Sequence, residues 1–163
     1  MASSSAQTAA SSPEIVAHVQ KVWDGIRPRS PIYNILLSNI RLVSASHGRI
    51  IAHLDLEPVH LNGKNILHGA VSGTIIDWAG GMAIASTGLD KTGVSADIHI
   101  SYVSGAREGD TLEIEAWINK VGKSLGFTQV EIRKAPKDGV PGTVVVTGSH
   151  TKFVSYYQPP SSS

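Results

Sequence analysis

The chain contains no cysteine. Disulfides, thiolate zinc sites and a cysteine nucleophile are therefore excluded together. That absence is compatible with the cytosol without establishing it. Charge of either sign is not in excess, with 14 Lys plus Arg against 13 Asp plus Glu. No basic face large enough for nucleic acid and no charge block suited to a membrane surface is present. Nor is there an uninterrupted apolar run of membrane-spanning length, because the longest one is broken by Asp77 and by Gly73, Gly80 and Gly81. The opening "MASSSAQTAASS" has neither a basic nor an apolar region, so it does not read as a secretory signal. Its Ser and Ala content resembles a transit peptide, but it lacks arginine. A single domain is expected over 13–156, with disordered tails at 1–12 and 157–163. No two histidines show metal-ligand spacing, so no metal is expected.

What is present divides by period. Ser12, Pro13 and Glu14 form a helix-start pattern, and Ile15, Val19, Val22 and Ile26 recur at helical spacing, which predicts a helix over about 13–25. The doubly proline-broken "RPRSPIY" reads as a loop. "IRLVSA" and "RIIAHLDLE" then read as two strands joined at "SHG", with Ile50, Ala52, Leu54 and Leu56 on one face. Four more strands follow the central segment. In the first, Val94, Ala96, Ile98, Ile100 and Tyr102 alternate with Ser95, Asp97, His99 and Ser101. In the second, Leu112, Ile114, Ala116 and Ile118 face inward, and "SLGFTQVEIRK" and "TVVVTGSHTKFV" complete the set, joined by a loop at "APKDGVPG". Helix, two strands, long helix, four strands is an α+β order with one antiparallel sheet.

Residues 69–86 lack proline and place Val71, Ile75, Trp78, Met82 and Ala85 at steps of three and four, a helix with one apolar stripe. A second stripe holds Asp77, flanked at i−4, i+3 and i+4 by Gly73, Gly80 and Gly81. Each interior glycine costs a helix roughly 1 kcal/mol relative to alanine. Two readings fit: tight packing alone, or room for a ligand beside an unshielded carboxylate. A carboxylate against apolar surface has its pKa raised unless hydrogen-bonded, which suits a general base. Ahead of it, "NGKNILHG" places His68 and Gly69 at a helix start, where unpaired N–H groups and the dipole favour an anion or oxyanion. His68 reads as ordering that start. Asn62 lies in the preceding loop. His18, His47 and His60 carry no assigned role, and His150 reads as a satisfied structural position in a strand.

Taken together, Asn62, "LHGA" at 67–70, Asp77 and "GVSADIHISYVSGAREGD" resemble the hotdog-fold acyl-CoA thioesterases of the phenylacetic-acid-degradation type, in the thioesterase superfamily member 2 group. The resemblance runs from about Leu42 to Phe153 and takes in "VGKSLGFTQVEI" and "GSHTKF". It implies a hotdog fold, a long central helix wrapped by about six antiparallel strands. It also implies hydrolysis of fatty acyl-CoA without a cofactor. By that resemblance Asp77 activates water, the Gly69 N–H polarises the thioester carbonyl, and Asn62 and Ser95 orient the water or the base. Asp77 and Ser95 would come from the subunit opposite Asn62 and Gly69, implying a dimer or a dimer of dimers. CoA would be held by His68, by Asp97, His99 and Tyr102 on the strand edge, and by Lys120, Gly122, Lys123, Ser124 and Leu125 in a turn. The family pattern expects a polar residue, often His, where Phe153 stands.

Three alternatives stay open. One is an aryl-acetyl thioester substrate. Another is a non-catalytic acyl-CoA-binding module, which would need none of the water-activating set. A dehydratase would want a His close to the carboxylate, and His68 is nine residues from Asp77. The resemblance allows cytosol or mitochondrion.

Overall fold

A computed structural model describes residues 10–155. Helix α1 (Pro13–Ile26) begins as expected, with Ser12 Oγ accepting from the Ile15 N–H, and it buries Val19, Val22 and Trp23. The expected tails lie almost wholly outside the described residues. Ser12, at the inner edge of the first, donates its N–H to the Ala45 carbonyl at 2.8 Å.

The segment expected to be a loop is not one. Arg27–Arg29 forms a 3-10 turn, and Pro31 opens a short helix, α2 (Pro31–Leu36). Proline is well placed in a first turn, where its missing N–H would have no helical partner and its fixed φ suits the helix. The two prolines therefore start turns here rather than break one. Leu37, immediately after α2, is fully buried.

Six strands follow: β1 (Arg41–Ser46), β2 (Arg49–Asp55), β3 (Val94–Tyr102), β4 (Thr111–Val121), β5 (Leu125–Lys134) and β6 (Val144–Phe153). They form one antiparallel sheet in the order β1-β2-β4-β5-β6-β3. Helix α3 (Gly69–Ala85) lies against its inner face. Ile50, Ala52, Leu54, Leu112, Ile114 and Ala116 meet it from the sheet, all fully buried. The expected apolar stripe of α3 is buried throughout, and so are Ala79, Gly80, Gly81 and Ile84 behind it. A helix apolar nearly all round belongs inside a fold, and this one is wrapped. Among the described residues no helix is long and apolar enough to cross a membrane.

Strand β3 departs from simple alternation. It forms the sheet edge and is exposed along almost its whole length, with only Ile100 packed against the core. Its register with β6 shifts between Ser95 and Asp97: Ser95 pairs with Lys152, and Asp97 with Thr151. Ala96 is the extra residue of a β-bulge. Residues opposite one another in an antiparallel pair share a face, so Ser95 joins Ile98, Ile100 and Tyr102 on the inner side. Strict alternation would have turned it outward with Asp97 and His99.

Candidate active site

The inner ends of β3 and β6 converge on Asp77. Its Oδ1 accepts from Ser95 Oγ at 3.0 Å and from Lys152 Nζ at 3.2 Å. Its Oδ2 accepts from the Tyr33 hydroxyl of α2. His150 Nε2 lies 3.0 Å from Ser95 Oγ and 3.7 Å from Asp77 Oδ1. The Ser95 hydroxyl, which donates to Asp77, thus also bridges the carboxylate to the His150 ring. The side chains of His150 and Lys152 are 0% and 5% exposed, whereas that of Asp77 is 32% exposed. The carboxylate is thus partly open to solvent, with the buried His150 and Lys152 behind it and the exposed Ser95 beside it.

Burial acts on Asp77 to raise its pKa, but the hydrogen bond from Tyr33, the Lys152 charge and the hydrogen bonds from Lys152 and Ser95 together outweigh it and leave the pKa below the ordinary value. The group is ionised at neutral pH. Burial lowers the pKa of Lys152, opposed by Asp77. His150 is pushed down to about 4, first by burial and then by the neighbouring Lys152 charge. At neutral pH the imidazole is uncharged, so its contact with Asp77 is no ion pair.

A pH prediction follows from that depressed value. The unfolded chain takes up a proton on this histidine near its ordinary pKa of 6.5, and the folded chain only near 4. The stability associated with neutral His150 is therefore complete above about 6.5 and is lost as pH falls toward 4, by up to a few kcal/mol. Urea unfolding between pH 7 and 4.5 should show a falling midpoint, and His150→Asn should flatten that slope. Carboxylates contribute chiefly below this window. A wild-type slope unchanged by the substitution would exclude His150 as its source.

The two readings of the glycines beside Asp77 can now be separated. A Cβ on Gly80 would lie 2.8 Å from both His150 Nδ1 and Thr128 Oγ1, and one on Gly81 would lie 2.9 Å from Thr92 Cβ. Both positions serve close packing of α3 against its own chain. Only Gly73, where the nearest atom would be Ile100 Cδ1 at 3.5 Å, keeps ordinary clearance.

Asn62 and Gly69 form a second cluster. Asn62 Oδ1 accepts from the N–H groups of Lys64 and Ile66, folding its loop and leaving the Nδ2 donors for other partners. His68 caps α3: its Nδ1 accepts from the Ala70 N–H at 3.0 Å, and its carbonyl takes the Val71 and Ser72 N–H groups. The Gly69 N–H is a helix-end donor not taken up by this cap. Asn62, Gly69 and Tyr102 line an open cleft of about 440 Å³ together with Ile66, Leu67 and Val103. Tyr102 donates to the Gly69 carbonyl at 3.3 Å. Eight residues of helix separate Gly69 from Asp77, about 12 Å along the axis. Within one chain the Asn62–Gly69 cluster and the Asp77 cluster therefore stand apart.

The loop behind this cleft is anchored by His60, which is fully buried. Its Nδ1 accepts from the Glu57 N–H, its Nε2 contacts the Leu36 carbonyl at the end of α2 at 2.9 Å, and its own carbonyl accepts from the His68 N–H. The remaining expected residues are scattered. Asp97 and His99 face outward on β3. Lys120, Gly122, Lys123, Ser124 and Leu125 are exposed at the β4–β5 turn, which the Gly122 N–H closes onto the Leu125 carbonyl. That turn lies at the Val94 end of the sheet, whereas Tyr102 lies at the opposite end of β3. Phe153 is exposed beside Val94 and Leu125. His150, read from the sequence as a satisfied structural position in a strand, is fully buried in β6 and faces Ser95 and Asp77. Lys152 and Tyr33 complete the set that the sequence did not indicate. His150 and Lys152 share a strand face with Gly148 by period 2, a signal that was available; Tyr33 had none, since its helix read as a loop.

Comparison with known proteins gives this geometry its family. Residues 64–140 match the thioesterase superfamily. The chain is 36% identical to human acyl-coenzyme A thioesterase 13 over 119 residues, covering 73% of this chain and 82% of that protein. The chain belongs to the thioesterase superfamily. Its fold is the hotdog fold of that superfamily: the crystal structure of zebrafish thioesterase superfamily member 2 superposes with a TM-score of 0.73 at 27% identity, over 89% of this chain and 99% of that one. A crystal structure from Streptococcus mutans bound to acetyl CoA is 25% identical, with a TM-score of 0.65 over 74% of this chain and 92% of its own. Within this thioesterase-superfamily chain, Asp77 on the wrapped helix is an ionised and partly exposed carboxylate.

Proposed function

We propose that the protein hydrolyses fatty acyl-CoA to the free fatty acid and CoA. The observation that carries this reading is Asp77, an ionised, partly exposed carboxylate on the central helix of a thioesterase-superfamily fold, held by Ser95 of β3. The similarity to human acyl-coenzyme A thioesterase 13 supports the substrate class.

Asp77 takes a proton from water as the water oxygen attacks the thioester carbonyl carbon. The Gly69 N–H, reinforced by the helix end, stabilises the tetrahedral oxyanion, and Asn62 helps to hold the attacking water. Collapse breaks the C–S bond, and the proton on Asp77 passes to the departing CoA sulfur. Ser95 fixes the carboxylate while this happens. The separation of Gly69 from Asp77 within one chain favours a site shared between two copies. The exposed edge strand β3, with Val94, Ile98 and Tyr102 uncovered, is a surface that a second copy would cover. The lysines of the β4–β5 turn, Lys120 and Lys123, suit the phosphates of CoA.

The test is release of CoA from a panel of acyl-CoAs of different length, with phenylacetyl-CoA included. A thiol reagent reports CoA without background, because the chain has no thiol of its own. Fatty acyl-CoAs should turn over well above the uncatalysed rate. Absence of turnover on every member, despite binding, would favour the non-catalytic module instead.

A further inference from the structure

Tyr33 belongs to none of the positions assigned from the sequence, yet its hydroxyl is one of the three donors on Asp77. Ser95 and Lys152 both occupy Oδ1, so Tyr33 alone holds Oδ2. A carboxylate offers about four acceptor sites. These three donors fill three of them and leave one, on Oδ2, for a water. The carboxyl torsion is intrinsically broad. With Oδ1 held alone the other oxygen could swing through a wide arc; with Tyr33 in place it is pinned.

The tyrosine is itself held. Its ring lies 5.8 Å from that of Trp23 at 60°, and Trp23 packs 5.6 Å from Trp78 at 75°, the residue next to Asp77. The C-terminal end of α2 is fastened by His60 at the Leu36 carbonyl and by burial of Leu37. An aromatic chain thus runs from α2 through α1 to α3 and returns to the carboxylate through a hydrogen bond.

We infer that Tyr33 is a positioning residue for the hydrolysis, fixing Asp77 Oδ2 so that its one open acceptor site is presented to the attacking water. This rests on the proposed role of Asp77 as the base. Burial, with Asp77 beside it, raises the pKa of Tyr33, so the phenol stays protonated and remains a donor rather than a competing base. The groups facing Asp77 are Tyr33 from α2, Ser95 from β3, and His150 and Lys152 from β6. Of these, Tyr33→Phe removes one donor while retaining the ring contacts.

Two measurements on the full-length protein test this. The first is the pH dependence of kcat and KM with a fatty acyl-CoA. The second is titration of the Asp77 carboxyl carbon by NMR, which needs no turnover. In Tyr33→Phe the Asp77 titration and the acid limb of kcat should move together to higher pH, by about one unit. On the plateau kcat should fall about tenfold, with KM changed by less than about twofold. Replacing Tyr33 with 3-fluorotyrosine strengthens the donor and should move both titrations the other way. That variant carries the test if the phenylalanine protein does not fold. Coincident Asp77 titrations in the wild type and both variants would overturn the inference. So would a Tyr33→Phe enzyme faster than wild type, because the phenol would then obstruct the water. If the titrations shift while no wild-type turnover is seen, the hydrolase reading fails and the catalytic inference fails with it, leaving a structural contact. Unshifted titrations with active wild type instead remove Tyr33 alone.

Discussion

Asp77→Ala should lower kcat by a factor on the order of 10²–10⁴, the range spanned by loss of a general base. No other carboxylate is placed to replace it among the groups that face it: these are a protonated phenol, a serine hydroxyl, a neutral imidazole and a lysine. The substitution has a second effect. It strips the interior Lys152 of its counter-charge, and removing one partner of a buried pair typically destabilises by about 3–5 kcal/mol. Asp77→Asn separates the two effects only in part, since it keeps acceptor capacity while losing the charge. The cleaner control is Asp77→Ala combined with Lys152→Met, which removes the orphaned cation. Initial rates should be measured at a temperature where circular dichroism shows each variant folded. If the double variant regains stability but not turnover, the loss is chemical. Full activity in folded Asp77→Ala would remove Asp77 from the mechanism.

The second large effect should come from mixing two inactive proteins. Asp77→Ala damages one half-set and Asn62→Ala the other. If each active site takes Asp77 and Ser95 from one copy and Asn62 and Gly69 from its partner, a mixed dimer carries one doubly damaged site and one intact site. After the two variants are unfolded together and refolded, random pairing should restore roughly a quarter of wild-type activity. Each variant refolded alone should stay near its own low rate. Failure of the mixture to exceed the sum of its parts, with mixed dimers confirmed by mass, would rule out a shared site.

What the sequence made readable was local. Gly69, Asp77 and the apolar stripe between them lie on one continuous helix, so spacing alone relates them. The core face of β2 was legible for the same reason, through a strict period of two. The errors arose where distant segments meet or a period slips. Proline punctuation hid α2, and Tyr33 with it, because a proline that starts a turn and one that ends a helix look alike in a string. Ala96 shifts the pairing by one residue, and nothing in "GVSADIHI" announces that shift. His150 and Lys152 lie more than seventy positions from Asp77 and meet it only because β6 crosses under the helix. The glycines were ambiguous until His150, Thr128 and Thr92 were seen occupying the space beside two of them.

His60 gives the fold a property beyond anchoring a loop. Its ring grips the end of the helix that carries Tyr33, and its carbonyl grips the residue that caps Gly69. In the shared arrangement those two attachments serve different active sites. A single interior imidazole in each chain would then be a rigid strut between one site's base and the other site's oxyanion donor.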